Sequence, residues 1–217
     1  MLRASIAILA SAVLLGLYAR GGFAVSLGFV ALVPWLASVA TLSSWRAVLA
    51  SGIAMAMLFS LAVFAWFGDA VAAYTGIGTV GGVALVVLAA PVMQPQFVVA
   101  ALAARWVASR IGLVLRAVVV AAAWVACEWA CPKLLGDTLG HGLQPAAWWR
   151  QAADLGGVPL LTFALVLCNQ SLAEAWARRG DAGRGWRVPL ACALALPALL
   201  AGYGAWRSAQ LRTMPVE

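Results

Sequence analysis

"WRAVLASGIAMAMLFSLAVFAWF" (45–67) carries one charged side chain, Arg46, and then runs to its end without another. About twenty apolar residues coiled as a helix match the ~30 Å hydrocarbon layer of a bilayer, and only a helix or a closed barrel satisfies its own backbone there. Runs of the same kind recur on both sides of this one. The chain has 217 residues, 65% hydrophobic and 10% charged, with a mean hydropathy of +0.99. A soluble domain carries about a quarter charged residues, so the polar surface needed to cover a water-soluble globule is missing. Strand-like alternation is absent and Ala and Leu dominate, which argues against a β-barrel. The expected fold is an all-α integral membrane protein, a polytopic bundle.

Working outward from 45–67, the apolar runs predict seven spans, at 4–18, 23–40, 45–67, 78–103, 113–131, 157–176 and 188–206. The first is short and, with Arg3 and its small residues, has a signal-peptide rival; a retained hairpin of two short helices fits better. The fourth holds "APVMQPQF" (90–97), two prolines and two glutamines in mid-run, which predicts a kink or break whose freed backbone groups neighbours must satisfy. Residues 1–207 form the expected membrane domain, and 208–217 a short tail outside.

The formal charge is +7. With no basic stretch interleaved with stacking aromatics, nucleic acid is excluded and the excess reads as loop charge that sets topology. With the N-terminus in the cytoplasm, nine basic residues fall inside and five outside. "RRGDAGRGWR" (178–187) is then cytoplasmic, whereas the predicted loop "GDAVAAYTGIG" (68–78) has no basic residue. The expected orientation is N-in and C-out. Trp45, Trp66, Trp106, Trp129, Trp176, Trp186 and Trp206 lie near span ends, as an interfacial belt requires; Trp35 and Trp124 sit deeper and read as packing. Among the four cysteines, Cys127, Cys131, Cys168 and Cys192, no CxxC pair occurs, and no metal or cofactor site is expected.

The polar chemistry collects between spans five and six. "WACPKLLGDTLGHGLQPAAWWRQAADLGG" (129–157) holds the only lysine and the only histidine. Its paired tryptophans, followed by Arg150, Gln151 and Asp154, suit a short helix in the headgroup layer. Just before it, Glu128 is an ionisable group at the outer end of a span, costly there unless paired or wetted. Glu128, His141, Trp148, Trp149, Arg150, Gln151 and Asp154 are the candidate residues for contact with membrane phospholipid or a partner. The plainer alternative is an anchored loop in which Arg150 pairs with Asp154, four residues on, and Glu128 with Lys133.

"AWVACEWACPKLLGDTLGHGLQPAAWWRQAADLGGVPLLTFALVLCNQSLAEAW" (123–176) resembles the membrane domain of the apolipoprotein N-acyltransferases. The likeness rests on Glu128, Trp129, Gly142, Gln151, Ala153, Asp154, Gly157, Thr162, Phe163 and Asn169. "LGFVALVPWLAS" (27–38), with Pro34, and "YGAWR" (203–207) echo the family more weakly. The resemblance implies phospholipid-to-lipoprotein acyl transfer onto an α-amine, in lipoprotein maturation at the bacterial inner membrane. In that family the chemistry belongs to a nitrilase-like domain with a Glu–Lys–Cys triad that follows the seventh helix. The 217 residues contain no stretch resembling that domain. Glu128, Lys133 and Cys131 do not stand in the order or spacing of such a triad, so no catalytic residue is named and the chain alone is expected to be inactive. Two other readings remain: a non-catalytic partner or scaffold for a separate nitrilase-like enzyme, and a small transporter.

Overall fold

The computed structural model describes residues 2–108, 110–131, 133, 135–180 and 185–213. All the regular structure among them is helical: α1 (Leu2–Ala19), α2 (Val33–Val39), α3 (Trp45–Thr75), α4 (Gly78–Met93), α5 (Gln96–Val107), α6 (Leu113–Ala130), α7 (Ala147–Arg150), α8 (Ala153–Ala177) and α9 (Arg187–Thr213), with 3₁₀ turns at Gly22–Phe29 and Leu139–Leu143. Six of these segments are long and apolar enough to cross a membrane, and α4 with α5, bent by 43°, makes a seventh if the pair is one span. Each of the seven expected apolar runs is helical, six as single candidate spans and the fourth as the bent pair. The end of the tail, residues 214–217, and the centre of the arginine-rich loop, residues 181–184, lie outside the described residues.

One end of the bundle carries the connection between α6 and α8, and is called the loop end below. The other carries residues 40–44 and the turns after α5 and α8, and is called the arginine end. α8 is the most enclosed span and packs against α2, α6 and α9.

The second span departs from a plain helix. The 3₁₀ turn Gly22–Phe29 leads through residues 30–32 into α2, with Pro34 at its start. Proline has no N–H to give, and the break leaves neighbouring backbone groups without helical partners. Asn169 of α8 meets them: its Oδ1 accepts from the Leu32 amide at 2.7 Å, and its Nδ2 donates to the Gly28 carbonyl at 2.7 Å. Ser11 of α1 accepts from the Trp35 amide at 3.0 Å. The 4–18 span extends to Leu2–Ala19, with Ile8, Ser11, Ala12, Leu15 and Tyr18 on its buried stripe.

The expected loop at 68–78 is mostly helix. α3 continues to Thr75 and ends only at Gly76, left-handed at φ 75°. The stretch is alanine-rich, and Asp69 lowers hydropathy without breaking a helix, so the apolar run and the helix end at different places. With 31 residues, α3 is roughly 45 Å long, longer than the bilayer core is thick. It pairs with α4 at a close glycine crossing: a Cβ on Gly82 would sit 2.1 Å from the Gly68 carbonyl oxygen. Small residues admit this backbone approach where lipid tails remove the usual hydrophobic drive between helices.

The break in the fourth span falls at Gln94 and Pro95 between α4 and α5, whereas Pro91 is accommodated inside α4. Trp35 and Trp124 are fully buried, and Trp45, Trp66, Trp106, Trp129, Trp176 and Trp206 are exposed at their edges. The expected start of the sixth span at residue 157 coincides with a kink in α8, where Gly156 and Gly157 leave helical geometry; Gly157 has φ 69° and ψ −171°, a conformation that favours glycine.

Candidate functional site

At the loop end the segment after α6 folds back over the bundle. Two contacts hold it down and two brace it internally. The Gly140 amide donates to Thr162 Oγ1 at 2.9 Å, and Tyr18 donates its hydroxyl to the Leu139 carbonyl at 2.8 Å. Lys133 Nζ donates to the Asp137 carbonyl at 2.6 Å. His141 and Thr138 form a reciprocal cap on the 3₁₀ turn, in which His141 Nδ1 accepts from the Thr138 amide at 3.0 Å. That contact places the proton of the neutral imidazole on Nε2. Gly142 passes so close to the Tyr18 ring that a Cβ there would lie 2.3 Å from it.

Beneath this roof is a cavity of about 270 Å³. Its lower wall is apolar: Leu15 of α1, Phe59 and Phe64 of α3, Phe97 of α5 and Trp124 of α6. Its upper wall is polar: Gln94, Gln96, Glu128, Lys133 and His141. Lys133 Nζ stands 3.0 Å from Glu128 Oε1, with the two side chains only 6% and 5% exposed. A carboxylate this enclosed is tolerable because the ammonium offsets its charge. Gln94 and Gln96 are almost fully buried. Gln96 donates its amide to Gln94 Oε1, and its own Oε1 has no partner among the described residues. The cavity thus offers hydrogen-bonding groups at one end and hydrocarbon at the other, the two surfaces an amphiphile presents.

The sequence candidates divide. Glu128 and His141 line the cavity. Trp148, Trp149, Arg150, Gln151 and Asp154 do not; they belong to the turn of α7 and the start of α8. Trp149 packs edge-on to Phe29 at 4.9 Å and donates to the Pro197 carbonyl at 3.1 Å, so it is a packing residue, while Trp148 is exposed. The Arg150–Asp154 pair of the plainer alternative is not made. Arg150 donates to the Gln144 carbonyl at 2.9 Å, and Asp154 pairs with Arg207 of α9 at 2.7 Å. α7 is a single turn seated against α9, which turns Arg150 towards the preceding chain.

The remaining cavity residues were within reach of the sequence. Lys133 stood there as a partner for Glu128, and Gln94 and Gln96 as polar interruptions of an apolar run. Tyr18, Thr138 and Trp124 carried no signal that separated them from interfacial or core residues. Among the described residues no group of three His, Cys, Asp or Glu side chains is arranged to hold a metal.

The model of the apolipoprotein N-acyltransferase N-terminal domain matches residues 8–171. The chain belongs to that family. No curated protein and no solved structure matches it. Several positions of the apolipoprotein N-acyltransferase resemblance now have a physical reason: Gly142 for its approach to Tyr18, Gly157 for its backbone, Thr162 for the Gly140 amide, and Asn169 for the broken second span. Membership and the run of apolar helices together make this a multi-pass membrane protein of a family whose substrates are lipids and lipoproteins.

Proposed function

We propose that this chain is the lipid-handling membrane part of a phospholipid-to-lipoprotein N-acyl transfer system in the bacterial inner membrane. The observation that carries the reading is the cavity under residues 137–142, apolar below and polar above, with the enclosed Glu128–Lys133 pair in its wall. Its polar wall takes the ester or amine end of an acyl-bearing amphiphile, and the hydrocarbon continues along Phe59, Phe97 and Trp124. Acyl transfer itself needs an activated nucleophile beside an oxyanion site. That part falls to a nitrilase-like domain, in the same protein or a separate one.

The test is photocrosslinking of the full chain in nanodiscs with a phospholipid carrying a diazirine near its ester. Label is expected on peptides containing Phe97 and Trp124, and filling the cavity with Leu15→Trp should remove it. Label confined to outward-facing residues and unaffected by that substitution would refute the reading. The same proposal puts the loop end outside the cytoplasm. A cysteine at His141 should react with an impermeant maleimide in intact spheroplasts while one at Gly180 stays protected; the reverse pattern would invert the orientation.

A further inference from the structure

At the arginine end, between α2, α5, α6 and α8, lies a second pocket of about 380 Å³. Three guanidinium groups face it, Arg105, Arg116 and Arg178, and among the described residues one carboxylate, Glu174. α2 and the residue that follows it add Leu36, Val39 and Ala40, none of them charged. Glu174 is already shared: Arg178 contacts it directly, Arg116 lies 3.8 Å away, and Gln170 Nε2 donates to it at 3.3 Å. Arg105 bonds the Ser43 carbonyl at 3.1 Å, and Arg116 the Ile111 carbonyl at 2.8 Å. Each guanidinium has five N–H donors, so these contacts leave donors facing the pocket. Three positive charges against one negative in a partly enclosed space select an anion.

Two further observations narrow the anion. The pocket sits where α2, α5 and α8 end, at the level of the exposed Trp45, Trp106 and Trp176, which is headgroup depth. Gln170 is only 5% exposed, and its Oε1 has no hydrogen-bond partner among the described residues. Because its Nε2 is engaged with Glu174, the free atom is an acceptor and calls for a ligand that also brings a hydroxyl or N–H.

We propose that this pocket binds the phosphate of an anionic phospholipid, with Gln170 accepting a hydrogen bond from a headgroup hydroxyl such as that of glycerol. Planar guanidinium groups bind phosphate oxygens in pairs, and basic pockets between membrane helices are suited to such headgroups. The site lies at the opposite end of the bundle from the cavity of the proposed function and stands independently of it.

The experiment is native mass spectrometry of the full chain released from nanodiscs of phosphatidylcholine with phosphatidylglycerol as competitor. Wild type should retain phosphatidylglycerol selectively. Arg116→Gln with Arg178→Gln should weaken retention about tenfold, equivalent to about 1.4 kcal/mol. Arg105→Gln leaves the Glu174 network intact, and should weaken it about threefold. Glu174→Gln should strengthen retention, an outcome that a purely structural ion network would not produce. Phosphatidylmethanol has the same charge without the hydroxyl, so it should bind less well to wild type and equally to Gln170→Leu. Retention indifferent to the arginines, or weakened by Glu174→Gln in a protein with unchanged unfolding temperature, overturns the site. Displacement of the lipid by millimolar inorganic phosphate overturns the lipid assignment in favour of a soluble anion.

Discussion

The two ends of the bundle handle buried charge in opposite ways. At the loop end one acid meets one base, Glu128 and Lys133, at 3.0 Å and nearly out of contact with solvent. At the arginine end Glu174 is set among several guanidiniums whose side chains are 15% and 25% exposed for Arg116 and Arg178. An enclosed pair is held by mutual dependence: its attraction is large, but so is the desolvation cost of either member alone. A partly exposed cluster is redundant and can lose a member, and its surplus charge remains available to a ligand. The same kinds of residue therefore serve as a structural clasp at one end and as an open electrostatic surface at the other.

The sharpest way to break this contrast is to delete one cation at each end. Lys133→Ala leaves Glu128 uncompensated, and should cost about 3–5 kcal/mol of stability. Arg116→Ala leaves Arg178 on Glu174, and should cost about 1 kcal/mol or less. Unfolding temperatures in a mild detergent read both. The double change Glu128→Gln with Lys133→Met should regain most of the loss, since it removes the buried charge altogether. Equal costs at the two ends would mean that enclosure does not separate the clusters.

A smaller effect tests how the roof depends on its cap. His141→Ala removes the acceptor for the Thr138 amide at the start of the 3₁₀ turn. The expected cost is about 1 kcal/mol, the usual value of a capping contact. The loosened roof should also raise the access of a small thiol reagent to a cysteine placed at Leu139, whereas Thr138→Ser should leave that access unchanged. No change in access after His141→Ala would show that the contacts of Gly140 and Tyr18 hold the segment by themselves.

How much of this was legible in sequence follows from the solvent. Apolar runs marked all seven spans because the bilayer demands them, and "APVMQPQF" marked the break because proline withholds an N–H wherever it stands. The gathering of Glu128, Lys133 and His141 was visible as polar residues in an apolar chain. The packing faces were not. Lipid is as apolar as leucine, so the lipid face of α1, with Leu2, Ile6, Leu9 and Val13, does not contrast with its buried face in the way a water-exposed face would. The true end of α3 was hidden for a related reason, since hydropathy reports membrane depth and helix propensity does not. The destination of Arg150 was lost because an i, i+4 match with Asp154 looks the same whether or not the chain remains helical between them. The Asp154–Arg207 pair joins residues 53 apart in sequence, and only tertiary packing creates it.

The smallest expected effect is the response to salt, and it compares the two ends without removing a side chain. Charges open to solvent are screened over a Debye length of about 8 Å at physiological ionic strength and about 3 Å at 1 M. The pair at the loop end is enclosed, so screening reaches it poorly. The arginine cluster is reached, and its repulsion among like charges is relieved together with its attraction to Glu174. Raising salt should therefore change the stability difference between wild type and Glu174→Gln by a few tenths of a kcal/mol, in the range of a surface ion pair. The difference between wild type and the Glu128→Gln, Lys133→Met double variant should stay constant over the same range. Paired chemical-denaturation curves in urea, which adds no ions of its own, measure both differences. A salt response at the loop end as large as that at the arginine end would show that water reaches Glu128 through the cavity, and the clasp would then be as open as the site it is contrasted with.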